Sequence, residues 1–591
     1  MEHLRVDVII IGAGQAGLSL ARQLLLRGGK QILLIDKRAS IPPNRQKVGE
    51  SSVQVAGYYL SRVLDLEEHL LYDHFMKYNL RFYWKRFDTD GAGMEDYNSS
   101  HISNFSNIAS YQLDRNRLEE HLLALNSADE RFQFLGGCGS LQVDLKAGET
   151  PHEVSFRRGD RAYRVTASWV VDTSGRGRFL NRQMGTAKTN NIRHGAAFFW
   201  VEGTVNIEKL TGQSPREVRL HPHRRHMGHL PLWLATNHFM GEGFWFWVIP
   251  LRGKTSLGLV YDSRIIAHEE VAGTDRLLRW ICREFPLFGR DLTKRKILGN
   301  SSYKDFSHDC VSTISADGWA MAGESGRFTD PLYSPGGDLI ALYNTMIVDA
   351  VFAEDRDQLR RKAAVYERMM TYLYEAYVPS YSVSYDALGD QEVFGLKYVW
   401  ELTIYFGFYV FPFINDLFVD HRFLINFLNR FSKLGRLNFQ IHSFLSDFFQ
   451  WKKTNLPPSR GPVFFDFSSL GPLRRAEKTF YRVGVSLSEA RRVLGEQLEN
   501  LEELARFNVA WVCSRVLGNP AVLFHGAFVE GIDLKKIRFD EDQIRRNWQR
   551  VAHLEERFAW SFDPDSMISF INEPESGGKT EPVSGRVEAT A

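Results

Sequence analysis

The sequence lacks a sizeable net charge, paired cysteines and any apolar stretch long enough to span a bilayer. Lys plus Arg number 73 against 71 for Asp plus Glu, so no basic field gathers nucleic acid or acidic membrane, and no nucleic-acid partner is expected. The four cysteines, Cys138, Cys282, Cys310 and Cys513, stand singly. Without a CxxC pair there is neither zinc-ligand spacing nor a disulfide framework, so the expectation is a reducing cytoplasm and no bound metal. Met1 is followed at once by charged residues, which leaves no room for a cleavable signal and again points to the cytoplasm. In the Phe-rich segment 401–450, which holds 12 of the 42 Phe, the longest uncharged run is 402–415; it has 14 residues and contains Pro412. About 20 residues are needed to cross a membrane, so no transmembrane helix is expected. At 591 residues the chain can fold as several domains with large cores.

What the chain does have is a strong start. Residues 6–17 read Val-Asp-Val-Ile-Ile-Ile-Gly-Ala-Gly-Gln-Ala-Gly, a buried strand running into GxGxxG and then a helix. Gly12 permits the turn, Gly14 lets backbone approach a pyrophosphate, and Gly17 lets helix pack on strand. Ala13, Gln15 and Ala16 fill out a loop whose amides face the phosphates. Residues 31–36, ending in Asp36, read as the second strand, with a carboxylate placed to accept from a ribose hydroxyl.

Further on, 38–52 reads as a polar loop, 53–71 as a helix, 75–87 as a strand, and 111–123 as a short lead into a helix. Residues 132–145 and 153–167 read as hairpin strands, and 169–176 as a second strand and glycine turn on the nucleotide side. Segment 195–262 is rich in β-forming residues and suggests an antiparallel substrate sheet. Residues 318–326 give a last strand and turn, with a helix from 338 to about 354. The expected fold is α/β: a Rossmann-type dinucleotide domain over 1–375 with the substrate sheet inserted at about 190–310. An aromatic-rich, mainly helical domain over 376–575 and a disordered tail over 576–591 complete it. The aromatics of the helical domain suit a packed core, a greasy substrate channel or a peripheral membrane contact.

These pieces resemble the FAD-dependent monooxygenase and halogenase superfamily over about residues 1–350, and more narrowly the flavin-dependent halogenases. Trp245-Phe-Trp247-Val-Ile-Pro250 matches the Trp-x-Trp-x-Ile-Pro marker. The resemblance implies that Trp245 and Trp247 disfavour substrate approach to the flavin, so that activated oxygen meets halide instead of the substrate. Lys77, Phe82 and Trp84 fit the family's lysine-containing strand, with Asn79 where Gly is usual. The resemblance makes Lys77 the catalytic lysine, which directs hypohalous acid by hydrogen bonding or carries the halogen. Lys47-Val-Gly-Glu-Ser51 looks like the loop flanking the flavin, Arg115 like the helix-start arginine beside the cofactor, and Gly323-Glu324 like the Gly-Asp pair at the ribityl chain. Pro331, Gly336 and Gly337 belong to the turn beside the flavin ring.

Two departures narrow the reading. Where halogenases of tryptophan carry a Glu in the turn after that Pro, this chain has Tyr333, so a phenol or pyrrole is a better expectation than an indole. Where the family holds halide on the amides of a Thr/Ser-Gly pair, this chain has Pro335-Gly336, and proline has no N–H. The expected function is halogenation by FAD, reduced by a separate reductase, with halide ion and a small aromatic substrate, free or tethered to a carrier protein. A monooxygenase on the same scaffold is the alternative.

Overall fold

The computed structural model describes residues 1–42, 47, 49–220, 231–458, 463–568 and 570. The tail expected over 576–591 lies outside them. The first sheet has at its centre the apolar run of Glu2–Ile11, which pairs in parallel with Arg161–Asp172 on one side and Ile32–Asp36 on the other. Phe132–Gly136 and Trp319–Met321 extend the parallel order at the two sides. All five residues of Ile32–Asp36 are buried, as strands covered on both faces must be. The C-terminal end of the central strand is therefore the switch point of the sheet, where ligands of such folds bind.

The second sheet runs Ile297–Tyr303, His194–Glu202, Lys254–Asp262, Phe244–Leu251, Thr236–Gly241, Leu80–Lys85, Tyr97–His101, Phe464–Asp466. It is antiparallel except where Thr236–Gly241 meets Leu80–Lys85 and where Phe464–Asp466 meets Tyr97–His101. It thus recruits strands from well before 190 and one from the helical part. Its two faces have separate cores. Trp245, Trp247 and Ile249 join the main core against the nucleotide-binding part, while Phe246 and Val248 join a smaller core with Trp280, Phe285 and Phe288. Period-two alternation makes this sorting.

The helical part packs the long helices His421–Asn455 and Leu487–Leu517 around Gln391–Tyr405, of which 13 residues are buried. A π-helical turn, Phe406–Val410, and the short Phe411–Ile414 helix follow it, and Pro412 is taken up near the start of that last segment, where its missing N–H costs little. Among the described residues no helix is long and apolar enough to cross a membrane.

Several local expectations are corrected. The helix read over 53–71 is Gln54–Tyr58 running into a π-helical turn, then Glu67–Asp73 after a break at Asp65, whose φ is +58°. The strand read over 75–87 is two pieces, Phe75–Met76 and Leu80–Lys85, with Lys77 in the bend between them. Residues 132–145 divide between a parallel strand and Cys138–Asp144, which pairs with His152–Arg158. The helix expected from 338 starts at Pro335 and ends at Val351, because proline suits the first helical position, where the N–H has no partner in any case.

Candidate active site

The glycine loop follows from packing constraints that differ at each position. Gly12 has φ +117°, and a Cβ there would lie 2.5 Å from Thr173 O; at Gly17 it would lie 2.1 Å from Gly12 O. At Gly14 a Cβ would meet nothing within 4 Å, so that face of the loop opens on a trough. Gly14 is the N-cap of the 13-residue helix Gln15–Arg27, whose first amides have no intrahelical partner. Asp36 closes the trough at the strand end. Its Oδ2 accepts from Ala13 N at 2.7 Å, and its Oδ1 accepts from Arg38 N at 2.7 Å and Nε at 2.9 Å. Burial alone would raise its pKa, but the bonds from Arg38 and Ala13 prevail and hold it below the usual value. The ionised carboxylate keeps lone pairs for a further donor.

The trough runs from Gly12, Gly14 and Asp36 past Arg38, Arg115, Gly323 and Glu324, and continues between Trp245, Trp247, Pro331, Ser334, Gly336 and Gly337. Gln15, Arg115 and Glu324 line both halves. Arg115 donates to Glu119 Oε1 at 2.6 Å, and Lys47 bonds the other oxygen of that buried carboxylate. Burial raises the Glu324 pKa, offset in part by Arg176 and Arg115. A backbone cradle without side chains, a helix N-terminus and a rim of cations fit a dinucleotide of the FAD type.

At the far end, Trp245 and Trp247 are both buried, their rings 5.6 Å apart, and Trp247 Nε1 donates to Ser256 Oγ at 3.1 Å. Beside them His238 donates from Nδ1 to Arg81 O, 3.2 Å away, and burial pushes its pKa down to about 3, so the imidazole is neutral. Facing them is the turn into the Pro335–Val351 helix. Tyr333 and Ser334 have φ of +66° and +59°, a strained pair that persists because its neighbours hold it. Asp330 Oδ1 accepts from Leu332 N at 2.8 Å, its Oδ2 meets His194 Nδ1 at 2.6 Å, and Tyr381 Oη donates to Leu332 O at 2.8 Å. Pro335 is the first residue of the helix, so Gly336 and Gly337 carry the foremost available amides.

Lys77 lies in the wall behind the trough. It is buried, and its Nζ donates to Ser51 Oγ at 3.2 Å and to Ser52 O. Both serines also line the trough. Burial lowers the Lys77 pKa from 10.5 to about 7, with Asp338 opposing the shift. The other side of that wall is a second cavity, lined by Lys77 and Asn79, by Tyr333, and by Tyr398, Glu401, Leu402, Tyr405 and Tyr409 of the helical part. Asn79, standing where the family has Gly, has φ +67°, and its Nδ2 donates to Ile102 O at 2.8 Å and Asn104 O at 3.1 Å. Asparagine is the residue other than glycine that best tolerates this conformation.

Sequence reasoning did not single out Glu50, Glu119 or Glu401. Glu119 sits one helical turn after Arg115 and was readable from that spacing. Glu50 lines the trough and accepts from Trp200 Nε1 at 2.7 Å; burial lifts its pKa to about 7, against bonds from Ser256 and Trp200. Its partner is 150 residues away, so no local signal announces it. Among the described residues no group of His, Cys, Asp and Glu could hold a metal ion.

The chain is 27% identical over 357 residues to the flavin-dependent halogenase chlA of Dictyostelium discoideum, a match covering 57% of this chain and 58% of that protein. It is 25% identical over 373 residues to a 1H-pyrrole-2-carbonyl-[peptidyl-carrier protein] brominase of Pseudoalteromonas luteoviolacea, covering 59% and 78% of the two chains. The chain is related to the flavin-dependent halogenases. The match thus spans little more than half the length of the Dictyostelium relative. No family model matches. In fold the chain resembles the crystal structure of halogenase PltM, with a TM-score of 0.56 at 16% identity over 84% of this chain and 96% of that one. It also resembles the myxobacterial chondrochloren halogenase CndH, with a TM-score of 0.51 at 21% identity over 64% and 82%. The α/β architecture, with a Rossmann-like FAD-binding part and a helical C-terminal part, is shared with these halogenase structures.

Proposed function

We propose that this chain halogenates an electron-rich aromatic ring of phenol or pyrrole type, using reduced FAD, oxygen and halide ion. The observation that carries the reading is the position of Lys77, hydrogen-bonded to two serines of the trough and facing a separate cavity. A hydroxylase brings its substrate to the flavin; this arrangement separates the two and puts an amine between them. Bound in the trough, FAD would supply oxygen activation at its ring. Gly12, Ala13, Gly14, Gln15, Ala16 and Gly17 hold the pyrophosphate on amides, with Asp36 at the ribose, and Arg115, Gly323 and Glu324 position the middle of the cofactor. Pro331, Gly336 and Gly337 hold its ring, and the two glycine amides offer donors to a halide. Trp245 and Trp247 fill the space an aromatic substrate would need beside the ring. Lys77, close to neutrality in its ionisation, then holds hypohalous acid or carries its halogen to the substrate cavity.

Reduced FAD comes from a separate reductase, since the sequence has no second GxGxxG unit, and the setting is cytoplasmic. The pyrrole relative's name supports a substrate that is either free or tethered to a carrier protein. In this reading a FAD-binding part over 1–375 is followed by a helical part from 376 that closes the substrate cavity.

The test is mass spectrometry of products formed from FAD, a reductase, oxygen, bromide or chloride, and a panel of phenols and pyrroles. Halogenated product from the parent and none from Lys77→Ala is expected. A monooxygenase is the second reading, favoured by Pro335, which removes one amide from the halide site. Oxygenated product in halide-free buffer, with no halogenated product at any halide concentration, would replace the first reading by the second.

A further inference from the structure

The loop beside the trough carries a buried carboxyl group, Glu50, that no step of the proposed reaction uses. Its Oε1 accepts from Trp200 Nε1 at 2.7 Å, and the carboxyl group is also hydrogen-bonded to Ser256. Ser256 Oγ in turn accepts from Trp247 Nε1 at 3.1 Å. A serine hydroxyl has a single hydrogen; with the indole N–H on one of its lone pairs, that hydrogen goes to Glu50. Two indoles of one sheet face are thus held by one carboxyl group, Trp200 directly and Trp247 through Ser256.

The strand register puts these groups in reach of one another. Ser256 stands opposite Trp200 on one side and Ile249 on the other, and Trp247 shares the face of Ile249 by period-two alternation. Trp247 is itself opposite Gly258, where a Cβ would lie 2.3 Å from the indole ring, so the glycine leaves room for the ring to lie back on the sheet. Lys254 Nζ is 3.5 Å from the centre of the Trp200 ring and pairs with Asp114 Oδ2 at 2.8 Å. Asp114 is the N-cap of the helix that begins at Arg115. Trp200 is therefore pinned at its N–H and on its face, and it anchors the carboxyl group from which Trp247 is held. On its other side Trp247 borders the open trough.

We propose that Glu50 is a positioning residue for Trp247: through Ser256 it keeps the indole seated on the sheet, and so determines that an aromatic substrate is shut out from the flavin ring. The proposal rests on the halogenase reading, in which that exclusion keeps substrate and halide apart, and it names the part that holds the screen in place. An indole swung off its seat leaves space for another ring beside the flavin. The fraction of molecules in that state sets the apparent affinity of a phenol for the space. Cutting the tether raises the fraction by about three- to tenfold, the worth of one hydrogen bond.

The test reads the flavin and not turnover. Oxidised, FAD-loaded protein is titrated with phenol at pH 8, above the Glu50 pKa of about 7. The signal is the long-wavelength absorbance that an electron-rich ring gives when it stacks on the flavin. Ser256→Ala should show this band at a phenol concentration about three- to tenfold below the parent's, with the parent's FAD stoichiometry. Glu50→Gln has one acceptor oxygen, which cannot serve both Trp200 and Ser256, and should shift the titration in the same direction. Thr255→Val removes a hydroxyl from the opposite face of the same strand, where it bonds Gly203 O and Val205 N, and should leave the titration in place. Titrations like the parent's in both Ser256→Ala and Glu50→Gln overturn the proposal. An equal shift in Thr255→Val also overturns it, because the cause is then a general loosening of the sheet. Products separate the proposal from the reading it rests on: titrations that shift as expected, in a protein whose parent forms only oxygenated product, keep the tether and discard the halogenase.

Discussion

The trough and the cavity behind it are built in opposite ways. The trough is lined by backbone near its glycine loop: what matters at Gly12, Gly14 and Gly17 is the absence of a Cβ, and the spacing of three glycines after a β-branched strand states that in twelve consecutive residues. The cavity is lined by side chains brought from the 77–79 bend, the strained turn at Tyr333 and several turns of the helical part. A site made by omission has a short-range signature, and a site made by convergence has none.

The largest effects fall on the glycine loop, and they separate fold from binding. Gly17→Ala forces a Cβ within 2.1 Å of Gly12 O and 2.5 Å of Thr173 Oγ1, and backbone cannot move aside as a side chain can. A loss of more than about 3 kcal/mol is expected, seen as a collapse of the thermal unfolding midpoint. At Gly14 a Cβ has no protein atom within 4 Å, and the extended backbone, φ −95° and ψ −175°, suits the β-branched side chain of Gly14→Val. That variant should keep the parent's midpoint without cofactor and fail to retain yellow FAD. Normal FAD stoichiometry in Gly14→Val would mean that the open face is not where the pyrophosphate lies.

On the cavity side the expected loss is chemical. Lys77→Ala should leave reduced-flavin oxidation intact and lower halogenation by about a hundredfold or more; full activity would demote Lys77 to a packing residue. Its stability signature has the opposite direction. The pKa is lowered by burial from 10.5 to about 7, so between those values the unfolded chain carries a proton that the folded one does not. Burial therefore destabilises the fold increasingly as pH falls from about 10.5 to 7, and constantly below. Lys77→Met, similar in bulk and uncharged, should raise the unfolding midpoint most near pH 7, with the gain fading toward pH 10.5. A gain that grows with pH would contradict the burial-driven shift.

The same contrast explains what was legible. The central strand, the first helix, Asp36 and the body of the Pro335–Val351 helix follow from apolar runs, turn residues and spacing. The Trp245 and Trp247 face follows from alternation on one strand. The break at Asp65 and the bend at 77–79 were missed because each depends on a non-glycine residue in the left-handed region, which composition does not reveal. Lys77 was found only through a motif, and its low pKa depends on burial that no local pattern encodes. The aromatic segment 401–450 suits a core, a channel or a membrane contact by sequence, and much of it is core; but Glu401, Leu402, Tyr405, Phe406 and Tyr409 border the cavity, and which face of a helix buried nearly all round meets a void is settled by tertiary packing alone.

A smaller effect is expected at the turn where trough and cavity meet. Pro335 occupies the first helical position, so the helix itself loses no bond to it, and what is missing is one outward amide donor. Pro335→Thr restores that N–H next to those of Gly336 and Gly337. The halide concentration for half-maximal rate should fall severalfold, about what one added hydrogen bond to an anion supplies, roughly 1 kcal/mol. The midpoint should fall slightly, since proline restricts the unfolded chain. An unchanged halide requirement would place the halide elsewhere than at this helix start.

The smallest effect tests whether the departure at position 79 is a departure in structure. Asn79 holds φ +67° and ties the bend beside Lys77 to Ile102 O and Asn104 O. Asn79→Gly removes both bonds, each worth about 1 kcal/mol, but relieves a conformation that costs a residue with a Cβ about 1–2 kcal/mol. The two changes oppose each other, so stability and halogenation should stay within about 1 kcal/mol and a few-fold of the parent. Asn79→Ala loses the bonds and gains no freedom, and should cost about 2 kcal/mol or more, with Lys77 displaced and turnover reduced. If alanine is tolerated as well as glycine, the left-handed bend is not what fixes Lys77 in its wall. The lysine would then owe its place to Ser51 and Ser52 alone, and the glycine usual in the family at this position would have no bearing on catalysis here.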